Sequence, residues 1–493
     1  MRIPLNPQGD VPLYKQIESY LRENILSGAL LPETRLPATR QLAQSLGVSR
    51  ITVSNAYAEL ESDGLIYSME GSGTFVMAPI PNIYQPLDDS AHSWPLWQED
   101  MRANRGLSFP GSLPVTAGNS PHPAPIAFTG VGDPRQFPVK DFYSVLRTVI
   151  QRDGIDALGY GSFDGGYHPL RETISHVLAS QGIRANPDTI LITSGSQQAI
   201  ALVCQLLLKA GDVILVEDPG YNYALELFQS LKLKVVGVPV DEQGMRIDLV
   251  ESLLQKHHPR LVYTIPNFQN PTGTCLSTVR RRELLVLAGR YNIPILEDDF
   301  VGDLRYDGRA QPAIKALDQN GSVIYAGTFS KMLMPGLRVG YLVADGPVFD
   351  RLLHFKHIND LTTSNLMQRV LEEYVTVGRY QQHLRRSGRL YRKRRDAMLE
   401  AIKHHLPHNV EVYPPQGGLF IWLRLPEGVS SNELLPIALK EGVAFAPGRH
   451  FFLDHTMGEP YLRLNFAVQT VDDIDVGIQR LARALERLAK NAG

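Results

Sequence analysis

The chain has 493 residues, 43% apolar and 20% charged, with a formal net charge of −2. That length exceeds one ordinary core, so two or three domains are expected, and the near-neutral balance excludes bulk attraction to nucleic acid or membrane. Any DNA binding has to come from a local patch. Cys204 and Cys275 give neither a disulfide framework nor metal-ligand spacing, so no metal is expected. The start, Met1-Arg2-Ile3-Pro4-Leu5-Asn6, lacks the apolar core of a signal peptide, and the most apolar run, 199–208, is too short for a bilayer. A cytoplasmic chain with no membrane partner is the expectation.

Leu13, Ile17, Leu21 and Ile25 recur every fourth residue, which predicts one amphipathic helix ending near Gly28. A second short helix fits 39–46, with Leu42, Ala43 and Leu46 inward. After the Gly47-Val48 turn, Ser49 can N-cap a third helix through Glu61, burying Val53, Ala56, Tyr57 and Leu60. Helix, glycine turn, helix is the helix-turn-helix pattern. The outward face carries Arg50, Thr52, Ser54 and Asn55, which can donate to phosphates and base edges. Residues 34–58 hold Arg35, Arg40 and Arg50 and no acid, whereas residues 1–80 hold six basic and eight acidic side chains. The β-rich runs 65–69 and 74–77 flank Glu70-Gly71-Ser72-Gly73 and predict a hairpin, or wing. Pattern alone also fits a three-helix domain without a DNA role.

Leu36-Pro37-Ala38-Thr39-Arg40, Leu46-Gly47-Val48-Ser49-Arg50, Ala56-Tyr57 and Gly71-Ser72-Gly73-Thr74-Phe75-Val76 closely resemble the GntR superfamily of winged-helix regulators, over about residues 10–77. The resemblance implies that Arg40, Ser49, Arg50 and Thr52, with the wing at Gly71 and Gly73, meet double-stranded operator DNA. One departure is Ser54, where some members carry a basic residue.

Residues 78–125 contain nine of the 34 prolines and read as an extended linker, part of it packed on a domain through Trp94 and Trp97. From 126 onward helical patterns alternate with short apolar runs at 189–193, 212–217, 260–265, 293–297, 323–326 and 339–343, which predicts an α/β domain with a mostly parallel sheet covered on both faces. Strand-like residues 418–425 among helices suggest a smaller α/β subdomain, from about 385 to 493. The expected domains are thus 1–77, the linker 78–125, and 126–493.

Lys331 follows Thr328 and Ser330 and precedes Arg338 by seven positions. An amine beside hydroxyls and a guanidinium suits an aldehyde cofactor bearing a phosphate, although Ser-Lys alone is a weak signal. An apolar run ends in Glu297-Asp298-Asp299, placing carboxylates at a sheet edge where α/β proteins bind ligands. Asp298 can supply the anion that pyridoxal phosphate needs beside its pyridine nitrogen; alone, these carboxylates could equally solvate a strand end. Asn270-Pro271-Thr272-Gly273 and Asp218-Pro219-Gly220-Tyr221 each follow a strand. Ser194-Gly195-Ser196-Gln197 opens a helix whose N–H groups can take a phosphate.

This order of motifs resembles fold-type I aminotransferases of class I over roughly residues 126–490. The implied fold is multidomain, a winged helix-turn-helix (α+β) plus an α/β fold-type I pyridoxal-phosphate transferase with large and small subdomains. The resemblance implies Lys331 as the Schiff-base lysine, Asp298 on the pyridine nitrogen, Asn270 on the phenolic oxygen and Tyr221 over the ring. It places Ser196, Gln197, Thr328, Ser330 and Arg338 around the phosphate. It gives Arg463 a ligand carboxylate, suited to guanidinium geometry, although alone Arg463 reads as a surface strand residue. Tyr160 resembles the tyrosine that reaches the partner subunit's phosphate, which implies a homodimer. One departure is Phe300, where the family has a tyrosine contacting the phenolic oxygen; Asn270 is then left as the main partner of that oxygen.

The two halves together resemble MocR-like regulators. That implies a pyridoxal-phosphate-dependent, DNA-binding transcription regulator in which a small amine or amino acid replaces Lys331 in the Schiff base. The alternatives are a working aminotransferase with an accessory DNA-binding head and a sensor of pyridoxal phosphate itself.

Overall fold

The computed structural model describes residues 3–7, 9, 11–69, 71–77, 125–130 and 132–492. The chain divides into two compact units, 1–109 and 110–493. The expected linker, with Trp94 and Trp97, lies outside the described residues apart from Pro125.

The first unit runs α1 (Leu13–Leu26), β1 (Arg35–Leu36), α2 (Thr39–Leu46), α3 (Arg50–Ser62), β2 (Ile66–Met69) and β3 (Gly73–Val76). Ile17 and Leu21 of α1 are fully buried against Leu42, Val53, Ala56 and Leu60. Leu13 and Ile25, the outer ends of the same stripe, are only half-buried. Gly47 ends α2 in the left-handed region at φ 68°, a conformation that suits a residue without Cβ. Ser49 then caps α3 by accepting the Thr52 N–H. β3 lies between β1 and β2, with Arg35 opposite Phe75. β1 went unforeseen because two residues are too few to show a period.

In the second unit β4 (Ile126–Ala127) precedes β5 (Ile190–Thr193), β6 (Val213–Asp218), β7 (Lys234–Asp241), β8 (Gly244–Met245), β9 (Leu261–Thr264), β10 (Ile295–Asp299), β11 (Val323–Thr328) and β12 (Gly340–Val343). All but β4 form one sheet in the order β5-β12-β11-β10-β9-β6-β7-β8. The run from β11 to β7 is parallel, while β12 is antiparallel to both β11 and β5. Every residue of β5, β9, β11 and β12 is buried, so these strands read as continuous apolar runs and not as alternation. Parallel strands end on one edge, so β6, β9, β10 and β11 deliver their following loops to one place.

A second, antiparallel sheet follows: β13 (Glu411–Tyr413), β14 (Phe420–Arg424), β17 (Tyr461–Asn465) and β16 (Ala446–Pro447), in that spatial order. The pair β15 (Val443–Ala444) binds β4 in parallel, so the residues that open this unit join its C-terminal part. Among the described residues no helix is long and apolar enough to cross a membrane.

Candidate cofactor site and DNA face

Leu296 of β10 pairs with Tyr263 of β9. Strand alternation then puts Tyr263, Leu296 and Asp298 on one face of the sheet. The Tyr263 hydroxyl donates to Asp298 Oδ2 at 2.9 Å, whereas Asp298 Oδ1 is buried with no hydrogen-bond partner. Burial raises the Asp298 carboxyl to about 7; Asp299 adds to the rise, and Tyr263 and Lys331 oppose it. Its neighbours are spent elsewhere. Glu297 accepts the Ile314 and Lys315 N–H groups at 2.9 and 2.7 Å, and Asp299 accepts from the Tyr325 hydroxyl and the Gly302 N–H at 3.0 and 2.8 Å. The reading of these carboxylates as a solvated strand end is overturned. Glu297 and Asp298 are 0% and 2% exposed.

Lys331 stands in the turn after β11. Burial, then the charges of Arg463 and Arg338, lower its ammonium to about 8 against the pull of Asp298. These four groups therefore share one electrostatic environment. The Ser330 N–H donates to Thr328 Oγ1 at 3.1 Å, and the Ser330 hydroxyl is buried without a partner. Arg338 donates to the Ser194 carbonyl at 2.5 Å. Gly195, at φ 98°, lies under that guanidinium, and a Cβ there would come within 3.0 Å of it. The helix Ser196–Leu207 starts at this turn, so its free N–H groups gather beside Arg338. Gln197 donates to the Tyr223 carbonyl at 3.1 Å, and its Oε1 is buried and unpaired.

Arg463 comes from the second sheet, where β17 pairs it with Trp422. Its Nη1 donates to Asn270 Oδ1 at 2.6 Å, and its guanidinium lies 4.0 and 4.8 Å from the ring centroids of Phe420 and Phe451. Burial lowers it to about 10, and its Nε has no partner. The surface reading of Arg463 is overturned. Phe300 is buried and stacks on Phe420, ring centroids 6.5 Å apart, so it extends the same apolar wall. The Tyr221 ring meets Tyr223 edge-on at 5.8 Å, and burial pushes its phenol well up. Tyr160 stands apart from this group, 67% exposed.

Two residues here went unforeseen. Tyr263 sits in an apolar strand, where its hydroxyl gives no signal. Gln269 accepts both the N–H and the hydroxyl of Thr272, and donates to the Pro219 carbonyl at 2.7 Å and to buried Glu217 at 3.2 Å. It thereby ties the loop carrying Asn270 to the loop carrying Tyr221. The amide-rich run Asn267-Phe268-Gln269-Asn270 was the available clue.

These residues fit pyridoxal phosphate. A buried carboxylate oxygen and a buried hydroxyl lack partners, and a helix N-terminus meets an arginine. An amine lowered to about 8 stands among them.

In the first unit Arg40, Arg50, Ser54 and Asn55 are exposed. Arg40 and Arg50 make no hydrogen bond or ion pair among the described residues. Ser49 Oγ and Thr52 Oγ1 lie 2.8 Å apart and are partly spent on each other. Gly71 and Gly73 take φ 75° and 121° in the wing. A Cβ on Gly73 would fall 2.8 Å from Arg35 Nε, so Arg35, outside the expected set, lies along the wing.

The family described as "Bacterial regulatory proteins, gntR family" matches residues 13–76, and "Aminotransferase class I and II" matches residues 130–481. The chain belongs to the class I and II aminotransferase family. Membership brings the family's cofactor, pyridoxal 5′-phosphate, and the gntR-family domain ahead of it gives the MocR-like architecture. The chain is thus a pyridoxal-phosphate-dependent regulator with a GntR DNA-binding domain and an aminotransferase-like domain. It is 33% identical over 487 residues to the uncharacterized HTH-type transcriptional regulator YisV of Bacillus subtilis, covering 98% of this chain and 97% of that one. It is 38% identical over 367 residues to aromatic-amino-acid aminotransferase 1 of Thermococcus litoralis, covering 73% and 88%. The crystal structure of LysN, the α-aminoadipate aminotransferase of Thermus thermophilus complexed with N-(5′-phosphopyridoxyl)-L-leucine, superposes with TM-score 0.70 at 35% identity, covering 74% and 93%.

Proposed function

We propose that this regulator senses a primary amine, an amino acid or close analogue, in its aminotransferase-like domain and answers by changing how its winged helix holds double-stranded operator DNA. The observation that carries the reading is Lys331. It is an amine lowered to about 8 inside a charged, partner-poor pocket, in a chain whose N-terminal unit exposes unpaired arginines.

When bound, pyridoxal phosphate supplies an aldehyde that captures primary amines and a pyridine ring that accepts electron density. Lys331 Nζ is the chain's own amine toward that aldehyde; at about 8, roughly a tenth of it is neutral and nucleophilic at neutral pH. Asp298 Oδ1 takes the pyridine nitrogen, with Tyr263 holding the other oxygen. Asn270 and Tyr221 orient the ring. Ser196, Gln197, Thr328, Ser330 and Arg338 hold the phosphate, the first two at a helix N-terminus. Arg463 binds a carboxylate on the incoming amine, because its fork has donors beyond the one given to Asn270. Phe300 and Phe420 keep water from that side.

On the DNA side Arg40, Ser49, Arg50 and Thr52 meet phosphates and bases while Gly71 and Gly73 let the wing approach the backbone. The chain works as a cytoplasmic homodimer. Exposed Ile155, Leu158 and Tyr160 form an apolar run suited to a second copy, where Tyr160 reaches the partner subunit's pocket. Residues 78–125 link the two functions. An amine that binds two conformations of the core unequally shifts the DNA-reading heads by that difference in affinity.

The second reading is full transamination. It is favoured by the completeness of the set around Lys331, whose lowered pKa also suits it to moving a proton. Absorption spectra of the pyridoxal-phosphate-loaded protein, titrated with a panel of amines, separate the two. A visible band that shifts with one amine and stays shifted supports sensing. Bleaching that a keto acid reverses supports transamination, and a protein left colourless by added cofactor contradicts both.

A further inference from the structure

The helix Arg379–His405 carries nine Arg and Lys side chains against only Asp396 and Glu400, in a chain of net charge −2. Some of these cations are absorbed by the fold. Arg394 pairs with buried Asp133 at 2.7 Å, Arg395 with Asp396 at 2.6 Å, and Arg392 with Asp307 at 2.9 Å. Arg385, Arg389 and Lys393 are different. All three are exposed, and none makes a hydrogen bond or ion pair among the described residues. They fall at i, i+4 and i+8, about 6 Å apart along the helix, where like charges repel and weaken the helix. Among the described residues no acidic side chain pairs with any of the three; the acid one turn from Lys393, Asp396, pairs with Arg395.

Gly388 sits between Arg385 and Arg392, one turn from each. A Cβ there would meet nothing within 4 Å, so packing does not demand a glycine. Glycine inside a helix is unfavourable, and here it leaves bare backbone amid the basic side chains.

We propose that Arg385, Arg389 and Lys393 form a second duplex-DNA surface, on the aminotransferase-like unit, which adds phosphate contacts to those of the winged helix. The stripe spans about 12 Å, the rise of three to four phosphates of one strand. Long flexible cations without base-reading partners suit sequence-independent backbone contact. The missing Cβ at Gly388 lets that backbone come close. DNA is favoured over an anionic bilayer because the surface lacks apolar anchors: the neighbouring Leu384 and Leu390 are turned partly inward and pack against the core. The inference rests on the chain's binding DNA at all, which the winged-helix variant below tests separately.

The experiment uses the full chain loaded with pyridoxal phosphate and a random-sequence DNA duplex, with affinity measured against salt. Replacing all three by glutamine (R385Q/R389Q/K393Q) should reduce the steepness of log K against log salt by about 2 to 3, and weaken binding at low salt by roughly ten- to a hundred-fold. The lysine version (R385K/R389K) should restore both. Gly388→Ala should weaken binding several-fold while raising the thermal midpoint, a pair of opposite signs that lost folding does not produce. The winged-helix variant R40A/R50A should lower the steepness independently. A glutamine variant with the wild-type steepness overturns the proposal, and if R40A/R50A still weakens binding, the winged-helix reading survives. Loss of binding to phosphatidylserine vesicles with DNA binding intact also overturns it, and assigns the stripe to membranes.

Discussion

The two functional regions use charge in opposite ways. In the pocket Asp298, Lys331 and Arg463 are desolvated, each displaced from its ordinary protonation behaviour, at about 7, about 8 and about 10. On the proposed DNA face Arg40 and Arg50 are exposed and make no ion pair among the described residues. A buried charge acts strongly over short distances and responds to pH; an exposed one is screened and responds to salt. The pocket should therefore be tuned by protons and by a ligand, and the DNA face by ionic strength. In the absence of amine, substitutions at one should be silent in the other's own assay, and the coupling between them should show only when the amine is added.

The largest break is Lys331→Ala. It should abolish the visible band formed with added pyridoxal phosphate and any spectral response to amines, while binding of random-sequence DNA persists. Asp298→Asn comes next. Replacing a charged partner of the ring nitrogen by a neutral one should weaken cofactor affinity by roughly 10- to 150-fold, the equivalent of about 1.5–3 kcal/mol. The same variant has a pH signature in the cofactor-free protein. A carboxyl at about 7 folded and about 3.9 unfolded binds more protons in the folded state between those values, so stability falls as pH rises through that window. Asp298→Asn should make the fall in thermal midpoint between about pH 5 and 7 shallower, leaving the share of Glu217 and Glu297, which burial also raises to about 7. An unchanged slope would place the raised carboxyl elsewhere.

Arg50→Ala sharpens the other side of the contrast. It should weaken DNA binding on the order of ten-fold and lower the salt steepness by about 1, with the cofactor spectrum unchanged. The smallest effect is Ser49→Ala. Losing the cap of α3 should cost about 1 kcal/mol, read as a lower midpoint for the winged helix, with no change in the pocket.

The same contrast decides what the sequence reveals. α2 and α3 were legible almost to the residue because glycine and serine punctuate them, and the apolar strands of the large sheet were legible because both faces are covered. The antiparallel run of β12 was not, since strand direction is set by the connection and leaves no mark on composition. In the pocket, motif residues at strand ends could be found by type and order. Tyr263 and Gln269 could not, because their roles lie in contacts with partners 35 and 50 residues away, Asp298 on the next strand and Pro219 in another loop. Arg463 shows the same limit: alone it resembles a surface residue, and only the β14–β17 pairing turns it onto Phe420 and Asn270.

Linkage between the two regions is the central claim, and it is tested by measuring DNA affinity of the cofactor-loaded chain during titration with the amine that shifts the visible band. The account predicts that affinity changes about five-fold or more, with the same half-saturating amine concentration as the spectrum, and that Lys331→Ala removes the response. A band that saturates while DNA affinity stays constant would contradict it, and would leave an amine-binding enzyme joined to an independent DNA-binding head.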